Sequence, residues 1–197
     1  GRTSTRNTLE KNQIESAGLL AYPKAIFEKD GITYGFAAFA PNSGTCDIRD
    51  LANAKKITEE LAKEAQIVII SFHGGAEGSK YEHVPHETEH FYGENRGNVE
   101  AFAHAVIDAG ADIVFGHGPH VTRAVEVYKE RFVIYSMGNF ATYGRFNLKG
   151  PNGIAPIVKL SIDKTGKFFK ADIVSIQQVG RGIPEKDPEH RVFEKIK

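Results

Sequence analysis

A chain of 197 residues with 41% hydrophobic content can bury one sizeable core without a disulfide staple. Its single cysteine, Cys46, excludes an intrachain disulfide and a thiolate zinc cluster, so any metal site must use nitrogen and oxygen ligands. Lys and Arg balance Asp and Glu at 25 each, which removes the broad positive field that non-specific nucleic-acid binding needs, and no apolar run reaches the roughly 20 residues of a membrane span.

In chain order, residues Thr5 to Ala17 read as a polar helix whose thin apolar stripe is Leu9, Ile14 and Ala17, with Gly18 as its expected stop. A helix so polar needs something further to lie against. Ala25 to Glu28 and Ile32 to Ala40 flank Lys29-Asp30-Gly31, which predicts a β-hairpin. Asp47 is the expected cap of an amphipathic helix carrying Leu51, Ala54, Ile57 and Leu61 on one face. Ile67 to Phe72 is continuously apolar and β-branched, as in a strand buried on both faces. Val99, Phe102, Ala103, Val106 and Ile107 repeat the helical stripe within Asn98 to Ala109, Gly110 stops it, and Asp112 to Phe115 reads as the next buried strand. Two helix-then-strand units in succession imply α/β layering. Val121 to Ser136, turning at Lys129-Glu130, and Ile157 to Ile176, turning at Asp163 to Gly166, read as two further hairpins. The charged tail beyond Gly180, with Pro184 and Pro188, divides the chain into a domain over 1–180 and an extension over 181–197.

The chemistry gathers where predicted strands end. Ile69-Ile70-Ser71-Phe72-His73-Gly74-Gly75 delivers a histidine into a glycine-rich loop, and Ile113-Val114-Phe115-Gly116-His117-Gly118-Pro119-His120 repeats the arrangement with two. Side chains leaving the carboxyl edge of an α/β sheet converge on one crevice. Neutral imidazole is the commonest ligand for divalent transition metals, so His73, His117 and His120 are candidate metal ligands. A lone histidine of this kind more often bonds a loop carbonyl; it is the repetition that favours metal. Glu77 heads a loop dense in carboxylates and imidazoles that runs to His90; it is a candidate acid/base or outer-shell partner, or else a surface carboxylate. Asn139, in Ser136-Met137-Gly138-Asn139-Phe140, is a candidate to orient a water, a substrate oxygen or a ligand histidine, or is simply a turn former. There is no Gly-x-Ser-x-Gly elbow, phosphate loop or dinucleotide fingerprint.

The stretch Ile67 to Phe140 resembles the bacterial capsule-synthesis and poly-γ-glutamate-synthesis proteins, which are similar in fold to calcineurin-like metallophosphoesterases. Its anchors are Val68 to Glu77, Asp108 to Val114, Gly116-His117-Gly118-Pro119-His120 and Tyr135 to Phe140. The chain departs from the family at Gly74, where an aromatic is usual, and at Gly118, where a second histidine is common. The resemblance implies an α/β, layered metallophosphoesterase-like β-sandwich flanked by helices, of which this chain holds the C-terminal half. The bridging aspartate and Asn-His pair of such folds have no match before His73, so an upstream half of the same domain is expected as a partner.

By the same resemblance two divalent metal ions are expected, with Mn, Zn and Fe all admissible; His73 and His117 would ligate one and His120 the other or lie very near it. The His117–His120 spacing is one residue longer than the Gly-His-x-His of typical metallophosphoesterases, which leaves open which histidine holds which metal. The implied activity is a phosphoesterase-like metal-dependent hydrolase acting in capsule or poly-γ-glutamate synthesis or processing. Its substrate would be an anionic polymer or a phosphoester, and its place the extracytoplasmic cell envelope. Two rivals stand beside it: amide hydrolysis or transfer on polyglutamate, and a non-catalytic binding or assembly subunit with a decayed metal site. Neither nucleic acid nor a membrane segment of this chain enters any of these readings.

Overall fold

A computed structural model describes residues 1–144 and 146–197. Eleven strands form among these residues, and six of them make one mixed sheet. These are β1 (Lys24–Lys29), β2 (Ile32–Phe39), β3 (Ile67–His73), β6 (Ile113–His117), β7 (Val125–Tyr128) and β8 (Arg131–Ile134). Their order across the sheet is β1-β2-β3-β6-β8-β7. The inner pairs β2·β3, β3·β6 and β6·β8 are parallel, whereas the outer pairs β1·β2 and β7·β8 are antiparallel hairpins. The β1–β2 hairpin turns at Asp30 and Gly31, both in the left-handed region, as a two-residue turn that follows strand twist requires.

Helices α2 (Leu51–Glu64) and α3 (Val99–Asp108) connect the parallel strands and bury their stripes on one face of the sheet. Leu61, Phe102 and Val106 are fully enclosed there with Val68, Ile70, Phe72 and Val114. Gly35 lets Leu61 pack down onto β2, since a Cβ there would lie 2.9 Å from Leu61 Cδ2. The opposite face is less well covered: Phe36, Ile69, Ser71, His73, Ile113, Phe115 and His117 alternate with the core residues and are half-buried.

A second sheet, β9 (Ile154–Ile162), β10 (Phe168–Val179) and β11 (Ile183–Lys186), runs antiparallel in the order β11-β10-β9. Phe168 stacks on Phe132 at 5.5 Å and its N–H bonds to the Glu130 carbonyl, which ties this sheet to β8. Residues 181–197 are charged as expected, and they fold back: β11 pairs with β10, Val192 and Ile196 pack on Ile154, and buried Asp187 accepts from Ser175 Oγ and Arg191.

Three sequence expectations need correction. Helix α1 covers Arg2–Lys11 and ends six residues short of Ala17, because Gln13 takes a left-handed turn and Ile14 N–H reaches back to Leu9. Gly18 belongs to the next segment, where a Cβ would press on Ala38. Asp47 does not cap α2; it holds Arg49, and Asp50 accepts the Asn53 N–H. The 77–90 loop is not wholly irregular, since Glu89–Phe91 (β4) pairs with Glu94–Gly97 (β5) in a small hairpin.

Candidate functional site

The register of the parallel sheet sets His73 of β3 directly beside His117 of β6. Neighbouring strands lie about 4.8 Å apart and paired residues leave the same face, so both imidazoles project together at the carboxyl edge. The loops that follow are laced to each other: Gly74 N–H bonds to the His117 carbonyl, and Gly78 N–H to the Pro119 carbonyl. Glycine is required at 118, with φ of 121° and a would-be Cβ 2.6 Å from the Gly74 carbonyl. The two departures from the resembled family therefore meet in space, backbone against backbone, where no larger residue fits.

His120 completes the cluster from a left-handed backbone, φ 59°, an uncommon conformation for a residue other than glycine. Its tautomer follows from its neighbour. The Asn139 amide nitrogen donates to the carbonyls of His120 and Asn152, so its oxygen must accept the remaining bond, 2.8 Å from His120 Nδ1. His120 thereby carries a proton on Nδ1, so its neutral ring would keep the lone pair on Nε2, which lies 3.9 Å from Glu77 Oε2. A guanidinium can only donate, so Arg96 Nη2, 3.3 Å from His73 Nε2, likewise marks that nitrogen as the acceptor. Both imidazoles offer Nε2 lone pairs, the form in which histidine binds metal, and Asn139 takes the outer position that orients a ligand histidine.

Glu77 lies between the two: Oε1 accepts from Arg96 Nη2 at 2.7 Å, and Oε2 is the oxygen turned to His120. The structure thus brings together all five residues singled out from the sequence. His73, His117, His120 and Asn139 line one cleft of about 500 Å³, walled by Phe140 and Phe146, while Glu77 meets His120 at Nε2. Against this, among the described residues no group of three His, Cys, Asp or Glu side chains is arranged to hold a metal ion. Arg96 bridges His73 and Glu77 instead. The nitrogen donors of His73 and His120 therefore fit a divalent transition metal in type and tautomer; no carboxylate is among the cleft-lining residues.

Sequence reasoning missed the residues that build the site's flank. Arg123, completely buried, forms a fork-to-fork pair with Glu89, both bonds 2.8 Å, and also donates to the carbonyls of Tyr81 and Ala76. Glu89 accepts the Ala76 N–H as well, so this one pair pins both ends of the loop that carries Glu77. No local signal marks it, because its partners are 34 residues apart. The loop histidine His86 sits exposed against Glu100, and His104 pairs with Glu126 on the helix side, both away from the cleft.

Burial holds His73 below the ordinary imidazole value of 6.5, helped by the charge of Arg96 and by His120 and opposed by Glu77; burial alone lowers His117. Each therefore binds a proton less readily folded than unfolded. As pH falls through the unfolded value of about 6.5, the unfolded chain takes up protons that the folded chain refuses, and stability drops until the depressed folded values are passed. Thermal unfolding without metal should show Tm falling as pH drops from about 7 through 6.5, and His117→Gln should flatten that slope. An unaltered slope in the variant would assign the effect elsewhere.

The family described as bacterial capsule synthesis protein PGA_cap matches residues 1–143. Capsule biosynthesis protein CapA of Bacillus anthracis is 36% identical over 90 residues, 46% of this chain and 19% of that protein. PGA biosynthesis protein CapA of Bacillus subtilis is 38% identical over 81 residues, 41% of this chain and 18% of that protein. A probable polyglutamine synthesis accessory protein of Mycobacterium tuberculosis is 30% identical over 119 residues, 57% of this chain and 28% of that protein. The matched part is thus about a fifth of the length of either CapA. Among solved structures, a phosphatase of Mycoplasma pneumoniae aligns with TM-score 0.50 at 14% identity, covering 85% of this chain and 59% of that one. A hypothetical protein of Thermus thermophilus aligns at 0.50 and 17%, covering 79% and 62%. At such identity the likeness is one of fold: mixed α/β, with a central mixed sheet flanked by helices.

Proposed function

Because this chain belongs to the bacterial capsule synthesis protein family PGA_cap, we propose that it carries the histidine half of a metal-dependent, phosphoesterase-like hydrolase that makes or processes an extracellular polymer. One observation carries the reading: His73 and His117 in register at the edge of a parallel sheet, with His120 across from them. His73, His117 and His120 would hold divalent metal through nitrogen, and Asn139 would fix His120 as the Nδ1–H tautomer. The cleft itself supplies no carboxylate ligand, and the matched part of this chain is about a fifth of the length of either CapA. When bound, such a metal lowers the pKa of water and neutralises charge on the oxygens of a phosphoester. Glu77, with one oxygen on Arg96 and the other toward His120, would accept a proton. The cell envelope is the site of action that follows for a polymer made outside the cell.

A second reading, a polymer-binding subunit without catalysis, draws on the bridging of His73 and Glu77 by Arg96. Two measurements on the full-length protein separate them. Purified without chelator, it should retain transition metal and hydrolyse a chromogenic phosphodiester. Metal content near zero together with no turnover after metal is added back would reject the enzyme in favour of the binding subunit.

A further inference from the structure

Arg96 is 7% exposed, yet it stands beside the histidine cluster instead of in the core. Its Nη1 donates to Glu94 at 3.2 Å, and its Nη2 to Glu77 at 2.7 Å with His73 Nε2 at 3.3 Å. Its Nε is buried and has no hydrogen-bond partner; it is the one such side-chain atom among the described residues. An unpaired buried donor is destabilising, so one that persists calls for an explanation.

The geometry of the guanidinium supplies one. Nε–H and the adjacent Nη2–H form one edge of the planar fork, and such an edge matches two oxygens on one centre. Glu77 leaves Nε alone: Oε1 sits on Nη2, which also meets His73 Nε2, while Oε2 turns to His120. The carboxylate gives the guanidinium one oxygen, not two.

We infer that Arg96 is the residue that receives the substrate's oxyanion at this site, its Nε–Nη2 edge taking two oxygens of a phosphoryl or carboxylate group while Glu77 shifts off Nη2. The inference rests on the hydrolase reading for the word substrate, but anion binding itself does not require turnover. Glu77 and Glu94 keep the guanidinium neutralised until the anion arrives, which restrains casual capture of anions. The role is that of a specificity residue: it selects for a two-oxygen anion next to the imidazoles.

The test is calorimetric titration of the full-length protein, stripped of metal and dialysed free of chelator, with inorganic phosphate and separately with acetate. Glu77→Gln removes the internal competitor and should tighten binding of the preferred anion about tenfold; adding Arg96→Gln should erase that gain and weaken binding by about ten- to a hundredfold, the loss of a charged hydrogen-bond pair. Arg96→Lys, which keeps the charge but lacks the two-donor edge, should fall between and serves if Arg96→Gln fails to fold. The tighter of the two anions identifies the source as phosphoryl or carboxylate. Equal tightening by Glu77→Gln with Arg96 present and absent, or no tightening in folded Glu77→Gln, overturns the inference. Because no turnover is read, failure here leaves the hydrolase reading standing, and failure of hydrolysis leaves an Arg96-dependent anion site standing.

Discussion

Arg123→Ala is expected to cost about 3–5 kcal/mol of folding stability, the penalty for stranding one member of a buried ion pair. Arg123 is wholly enclosed and the Glu89 side chain is 4% exposed, so water cannot reach the carboxylate that the substitution leaves behind. The carbonyls of Ala76 and Tyr81 lose their donor in the same step. Arg123→Lys keeps the charge but not the fork, and it should still lose a substantial part of this, since one ammonium cannot meet two carboxylate oxygens and two carbonyls in those directions. The partner experiment fixes the cause. Arg123→Met with Glu89→Leu should be less destabilised than Arg123→Ala alone, because the desolvated charge is then gone from both sides, although the Ala76 N–H still loses its acceptor. Urea unfolding gives the numbers, and a loss below about 1 kcal/mol for Arg123→Ala would mean that the loop is held by other contacts.

The same pair shows where the sequence stops being legible. Elements came through where the signal is local: the hairpin around Asp30-Gly31, the stripes of α2 and α3, and the apolar runs of β3 and β6 each state their structure within a dozen residues. The histidines were legible for the same reason, a strand, a glycine and an imidazole in one short string. What they pair with was not. Arg96 lies 23 residues from His73 and 19 from Glu77, between the acidic loop and the helix that follows, and only the β4–β5 hairpin turns it inward. Glu89 looked like one more carboxylate in an acidic loop until burial against Arg123 set it apart. The misplaced end of α1 has another origin: Gly18 is an excellent helix stop by type, but its conformational freedom is spent on the close approach to Ala38, and an asparagine and a glutamine end the helix earlier. Local propensity names residues suited to a task; tertiary contact decides which of them perform it.

The histidine site yields the second large effect, and a graded series is what separates ligand from neighbour. In the full-length protein, His73→Ala and His117→Ala should each weaken transition-metal affinity beyond the ~10–100-fold that loss of an outer partner costs, and hydrolysis of a chromogenic phosphodiester should fall with it. Asn139→Ala should stay within ~10–100-fold, because it removes the acceptor that holds His120 as the Nδ1–H tautomer and leaves every nitrogen donor in place. Its backbone contacts add a structural cost, since the amide nitrogen also ties the carbonyls of His120 and Asn152. Asn139→Asp sharpens the comparison: it keeps an acceptor for His120 Nδ1–H but loses both donors, so it should recover metal affinity relative to alanine while remaining less stable than the parent. Competition against a chromophoric chelator reads affinity, and thermal unfolding reads the fold. If alanine at 73 or 117 costs no more than alanine at 139, the imidazoles at the sheet edge are not ligands, and their shared register is a feature of packing alone.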